Sequence, residues 1–353
     1  NTITYNQRPG FFLERLGDSD LSWEETEQYD IGLDVGLFDN RLNTSFDYYN
    51  KYTDGLLFDV PIPGTNGVRN VIQNIGEIQN PGFEWVLNTK NINRANFSWD
   101  TNLNLAFNTN EVKALPDGAD IIRPTKRIRE GETVSAWYFV EYAGVEPDNG
   151  EALYYLTTEL PEGSLDRGTT NNFNDASRRI LGNPFPDVIG GLTNNFRFNG
   201  IDFSFTFQGE WGAQLYNGGG IYQSSNADFF DNQTRDQLNR WQQPGDITNV
   251  PEARLFGGNG SQDSSRYLED ADFIRLRNLT LGYTLPSDVT DKIGMDRIRV
   301  YFTGVNLLTF TNFSGWDPES TADFTQGNSL ASGYVFYSPP QARTLTLGFN
   351  VDF

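Results

Sequence analysis

Ile201-Asp202-Phe203-Ser204-Phe205-Thr206-Phe207-Gln208 sets a large apolar residue at every odd position and a polar one at every even position. Side chains alternate across a β-strand with period 2, so this stretch puts its four apolar groups on one sheet face. A helix would need apolar residues at i, i+3 and i+4, which the stretch lacks. Asn199-Gly200 stands directly before it. That dipeptide suits the left-handed positions of a type I′ turn and predicts an antiparallel hairpin.

The same alternation returns at Phe97–Phe107 and Leu345–Phe353, and in shorter form at Ile31–Leu37 and Leu279–Leu285. Short turns join the segments in pairs: 26–36 with 42–54, 77–90 with 96–109, 136–147 with 151–158 across Asn149-Gly150, and 268–285 with 297–309. Long polar connections rich in Gly and Asn lie between the pairs, at 55–75, 110–135, 159–185, 212–265 and 310–335. One stretch, Asp228 to Trp241, reads as helical. The pattern predicts about eleven strands, many of the ~9–11-residue length that a tilted membrane strand needs.

Composition narrows the class. The 353 residues carry 26 Lys+Arg against 47 Asp+Glu, a net charge of −21, with no Cys, no His and one Met. Disulfides, thiolate nucleophiles and imidazole chemistry are excluded. The negative charge opposes binding to nucleic-acid phosphates. Aromatic residues make up 14% of the chain, yet mean hydropathy is −0.52. Disordered chains are poor in aromatics, and no run approaches the ~20 apolar residues of a spanning helix. A barrel reconciles the two numbers, because only alternate residues of each strand face lipid.

Short turns at one end and long loops at the other are the layout of outer-membrane barrels. Tyr48, Tyr49, Tyr52, Trp137 and Tyr138 near strand ends suit aromatic girdles. The closing residue, Phe353, ends an alternating strand. With the 37–41 turn on the periplasmic side, an odd strand count brings Phe353 back to the periplasm and leaves residues 1–25 as an extracellular segment. Bacterial barrels have even strand numbers. The expectation is therefore a C-terminal half barrel, residues 26–353, whose earlier strands precede residue 1.

Several stretches, in order, resemble the SusC/RagA family of TonB-dependent outer-membrane transporters. They include Trp23–Leu33, Gly36–Leu42, Asp47–Lys51, Asn74–Glu84, Gly182–Pro186, Gly191–Asn194, Ala271–Tyr283 with Leu285-Pro286, Gly304–Leu308 and Gly315-Trp-Asp-Pro-Glu319. The resemblance implies an all-β antiparallel transmembrane barrel of the 22-stranded class with a plugged lumen. It implies that the plug and the TonB box lie upstream, and that Phe353 acts in barrel assembly. It also implies a SusD-like surface lipoprotein as lid, the TonB complex as energy source, and a glycan or oligopeptide as cargo. No cofactor or metal is implied.

Arg275 and Arg277 interrupt the apolar face of their strand. A charge on the lipid face at mid-membrane costs ~2–4 kcal/mol, so both belong in the lumen or near an interface. There they would pair with lumen carboxylates, or meet the plug or an anionic substrate. Trp211, Tyr216, Tyr222 and Trp241 in the longest loop, with Trp316 in another, are the candidate substrate contacts, since aromatic faces suit sugar rings and apolar peptide groups. Glu24-Glu25 and Glu269-Asp270 read as solvated strand ends, because neighbours on a strand point to opposite faces and cannot flank a glycosidic bond. Asp18-Ser-Asp20 lacks the rest of a calcium loop, and Asn217-Gly-Gly-Gly220 lacks the Lys-Ser/Thr of a phosphate loop. A soluble or surface all-β binding domain, and a surface glycosidase working through carboxylates, remain as alternatives.

Overall fold

The computed structural model describes residues 2–5, 8–11, 16–63, 65, 67–68, 70–74, 76–115, 118–157, 166–321 and 332–353. Parts of the expected segment 1–25 and of the loops at 55–75, 110–135, 159–185 and 310–335 thus lie outside the described residues, as does residue 158 at the end of an expected strand.

Nine long strands make one antiparallel sheet: β1 (Glu25–Leu37), β2 (Leu42–Asp54), β3 (Glu77–Arg94), β4 (Phe97–Asn108), β5 (Val188–Phe198), β6 (Ile201–Trp211), β7 (Phe273–Thr284), β8 (Arg297–Thr311) and β9 (Thr344–Asp352). Each pairs with its sequence neighbour, so the sheet is an unbroken meander from β1 to β9. A short strand, Glu111–Ala114, adds to β3 at its loop end. The turns are built from left-handed residues: Phe38, Asp39 and Asn40 between β1 and β2, and Asn199 with Gly200 between β5 and β6. Positive φ is tolerated best by Gly and Asn, which explains the Asn-Gly choice at the tightest of these turns.

Register shows why the alternation recurs. Leu33, Phe46, Trp85, Leu105, Gly190, Gly209, Ile274 and Phe310 face one another in a row across eight strands. The next row runs Val35, Thr44, Leu87, Leu103, Leu192, Phe207, Leu276 and Leu308. The rows near the turns hold Ile201, Tyr283, Val300 and Phe349, then Phe203, Leu281, Phe302 and Leu347. One face is therefore a continuous apolar band. Leu347 is 78% exposed and Phe349 75%, a cost that only a lipid surface removes. The opposite face is polar, with rows such as Asn43-Asn88-Asn102-Thr193-Thr206-Asn278. Among the described residues no helix is long and apolar enough to cross a membrane.

The buried core lies mostly outside these nine strands. At the loop end, a four-stranded sheet (Ile121–Ile122, Lys126–Ile128, Ala136–Val140, Arg178–Gly182) and two three-stranded sheets form a folded layer. One of the latter holds Tyr142–Val145, Ala152–Tyr155 and Thr169–Thr170; the other holds Gln214–Asn217, Leu268–Asp270 and Tyr334–Val335. Trp137, Phe139, Tyr216 and Tyr267 pack together at its centre.

Three sequence expectations change here. The pair expected at 136–158 joins this layer instead of the barrel sheet. Ala136–Val140 is buried on both faces, so it is a core strand with no alternation to show to lipid. Trp137 and Tyr138 accordingly belong to no girdle, and the Trp137 indole donates to the Gln214 carbonyl at 2.8 Å. The helix expected at Asp228–Trp241 is a single 3-10 turn, Arg235–Asn239. Asp236 there accepts hydrogen bonds from Ser224, Thr234 and Gln237, and such local side-chain bonding favours turns over α-helix.

Candidate functional site

At the loop end the layer encloses a cavity of about 730 Å³. Its walls include Tyr142, Tyr267, Trp316 and Tyr337, the amides of Asn217, Gln223 and Asn249, and the hydroxyls of Ser265, Ser314 and Ser338. Glycines shape it. A side chain at Gly218 would enter the Tyr334 ring, and one at Gly220 the Tyr267 ring. Asn217-Gly-Gly-Gly220 is thus the place where backbone passes close to two tyrosines.

Three charged groups in this wall are bonded to the protein itself, while Arg235, also in the wall, is exposed and forms no ion pair among the described residues. Glu269 accepts from the Ser314 N–H and hydroxyl, each at 2.7 Å. Burial opposes the charge of Asp236, but its Ser224, Thr234 and Gln237 bonds outweigh this and hold its carboxyl below the usual range. Arg266 donates to the Gly260 carbonyl at 2.8 Å and to Asn226 at 3.1 Å, with the Tyr142 and Tyr267 rings 5.9 and 5.3 Å from its guanidinium carbon. What remains for a ligand is aromatic surface, amides, hydroxyls and the one positive charge of Arg235. That is a binding wall suited to stacking and hydrogen bonding.

Trp316 is 61% exposed at the cavity edge. Its loop is pinned on either side. Arg275 donates to Asp317 at 2.5 Å and ion-pairs with Glu319 at 3.1 Å, while Arg277 bonds Glu319, Gln208 and Asn306. Asp317 also accepts the Gln341 N–H at 2.9 Å and the Glu319 N–H at 3.0 Å. Burial pushes the Asp317 carboxyl up, but the Arg275 bond and these two N–H groups outweigh it and hold the group below its ordinary value. A bulge makes this possible. Phe207 faces Leu276 and Thr206 faces Asn278, leaving Arg277 as an extra residue. Without it, Arg275 would share the lipid face with Leu279, Leu281 and Tyr283; the bulge reverses the alternation and turns Arg275 to the Gln208 side.

The other aromatic candidates have different surroundings. Tyr216 is fully buried and donates to Asp263 at 2.5 Å. Trp241 is buried over Gly150, with its indole on the Pro147 carbonyl at 2.9 Å. Tyr222 packs on Phe229 and Phe336. Trp211 folds over Gly190 and Gly209, which belong to the apolar band. Of the five, Trp316 reaches the cavity wall. Tyr142, Tyr267 and Tyr337 were not foreseen, because each sits outside the stretch that looked aromatic-rich. Phe353 is 87% exposed. Among the described residues no group of three or more Asp or Glu is placed to hold a metal ion.

A polar-lined, lipid-banded antiparallel meander with a folded layer at one end defines the wall of an outer-membrane β-barrel. The chain belongs to the TonB dependent receptor-like, beta-barrel family, whose model matches residues 1–307. It is 37% identical over 361 residues to TonB-dependent receptor P3 of Formosa agariphila, covering 98% of this chain and 36% of that protein. It is 28% identical over 373 residues to TonB-dependent receptor SusC of Bacteroides thetaiotaomicron, covering 100% of this chain and 34% of that protein. The solved structure of the RagAB peptide importer in its closed-closed state superposes with a TM-score of 0.84 at 26% identity, covering 100% of this chain and 38% of that one. The chain therefore spans little more than a third of the relatives it matches.

Proposed function

We propose that this chain is the C-terminal wall of a TonB-dependent transporter that imports an oligomeric nutrient, a glycan or an oligopeptide, without chemistry on the cargo. The observation that carries the reading is the cavity whose charges, Arg235 apart, are internally bonded and whose free surface is mainly aromatic, amide and hydroxyl. Such a surface takes the repeating units of an oligomer by stacking and hydrogen bonding. Trp316 is its projecting ring and Tyr337 a second one.

On this reading residues 1–25 lie on the extracellular side, a plug-like segment and the TonB contact precede residue 1, and Phe353 serves barrel assembly. A SusD-like lipoprotein closes over the loop layer, where Phe230, Ile247 and Leu238 stand exposed. Uptake by cells carrying the full-length protein tests the function. Deletion should abolish growth on one oligomer class and leave growth on its monomers intact. Monomer release by the purified protein would instead point to a hydrolase.

A further inference from the structure

The polar face of the sheet divides by charge. On β1 to β4 it carries Asp30, Asp34, Asp47, Glu84 and Asp100, with Lys51 and Lys90 as the bases among them. At the turn end of β5 to β8 it carries Arg197, Arg297 and Arg299 around a hollow of about 750 Å³, with Asp202 as the acid between them. Arg299 takes that carboxylate with two bonds, Nε to Oδ1 at 3.0 Å and Nη2 to Oδ2 at 2.6 Å. Gly282 leaves the room this pair needs, since a Cβ there would lie 2.5 Å from Arg299 Nη2 and 2.6 Å from Asp202. Arg197 faces Asp202 in register, and Arg297 faces Asp352, yet neither forms an ion pair among the described residues. Arg94, at the end of β3, lines the same hollow, so three exposed guanidinium groups stand there without an ion pair among the described residues, in a chain of net charge −21 where acids outnumber bases 47 to 26.

We propose that this arginine crescent seats a carboxylate-bearing surface of the plug-like segment of the same polypeptide. The inference rests on the proposed reading that such a segment lies upstream; the length of the relatives leaves room for one, and charge complementarity selects the surface that fits. Arg197 and Arg297 would make the contact. Arg299, already bound to Asp202, holds the floor between them. Fork-shaped guanidinium groups bind carboxylates with two parallel bonds, so they fix orientation as well as position.

The test uses the full-length protein in outer membranes, with a photo-cross-linking residue in place of Ser204 in the hollow, or of Asn104 on the acidic half as a control. Heat-modifiable gel mobility confirms that each barrel is assembled. The position-204 probe should attach to an upstream stretch of the same polypeptide that contains Asp or Glu. Double reversal, Arg197→Glu with Arg297→Glu, should cut that yield about tenfold. Arg197→Lys with Arg297→Lys should retain much of it, and the position-104 product should be unchanged by either. A position-204 product insensitive to charge reversal, or one formed with a separate polypeptide, would overturn the crescent while leaving the plug reading intact. Failure of both probes to reach upstream residues would overturn the plug reading itself, and the crescent with it.

Discussion

Arg275 and Asp317 meet at 2.5 Å with both side chains almost wholly buried, 2% and 5% exposed. They come from two separate stretches, Phe273-Ile-Arg-Leu-Arg277 and Gly315-Trp-Asp-Pro-Glu319, which the fold joins into one network of four charges. Breaking a buried pair leaves an uncompensated charge, typically at a cost of ~3–5 kcal/mol. Asp317→Asn should therefore release the 312–321 loop and lower barrel stability, read as lost hydrogen-exchange protection there. Replacing both residues by Met should cost less than the single change. Equal losses would mean that the pair acts independently of its burial.

The depressed carboxyl of Asp317 sets a pH dependence. A carboxyl whose folded pKa lies below its unfolded value gives stability that is full above the unfolded pKa and fades as pH falls through the folded one. Loop protection should therefore persist through the ordinary carboxylate range near 3.8 and fail only at lower pH. Release of the loop at pH 5 would contradict this account.

Lys126 predicts a slope of the same sign in a higher window. Its amine is buried, 3.0 Å over the Trp137 ring and 2.9 Å from the Ser135 carbonyl. The ring and the carbonyl favour the charged form, but burial dominates and pushes the amine down to about 6 from 10.5. Between those values the unfolded chain holds a proton that the folded chain sheds, so stability of the loop layer rises with pH across that window. Lys126→Met should flatten the rise, measured as exchange protection of Ala136–Val140 at pH 7 and 9.

Trp316 is exposed and makes little of the core, so Trp316→Ala should leave thermal stability within about 0.5 kcal/mol. On the proposed reading its effect belongs to binding: titration calorimetry with an oligomer whose uptake requires the full-length protein should show affinity weakened roughly tenfold. Unchanged affinity would remove Trp316 from the ligand wall.

Leu103 and Asn104 are neighbours on β4 with opposite faces. Leu103→Arg should block assembly, at a cost of ~2–4 kcal/mol in the lipid band, while Asn104→Arg should assemble normally. Heat-modifiable gel mobility distinguishes the two.

The barrel sheet was legible because period 2 is a local signal: Ile201–Gln208 declares its lipid face with no knowledge of its partners. The loop layer was not. Ala136–Val140 shows no alternation, since it is covered by residues far away in sequence, such as Tyr216, whose ring packs on Trp137 and Phe139. The same blindness separates Trp316 from Tyr216 and Trp241. All are aromatic residues in polar loops, and which of them is exposed depends on whether another chain segment lies on top. Arg275 and Arg277 were recognisable as out of place on an apolar face. The single inserted residue that resolves the conflict carries no mark in the sequence.

That insertion makes β7 a strand of two phases. Below Arg277 the odd positions meet lipid, and above it the even ones do. Anyone exchanging strands between relatives must therefore move Arg277 together with its partners Gln208 and Asn306, or every graft above that level will be inside out. The upper part of β7 is thus tied in phase to the external loops more than to the membrane wall, and the boundary between those two inheritances falls within one residue.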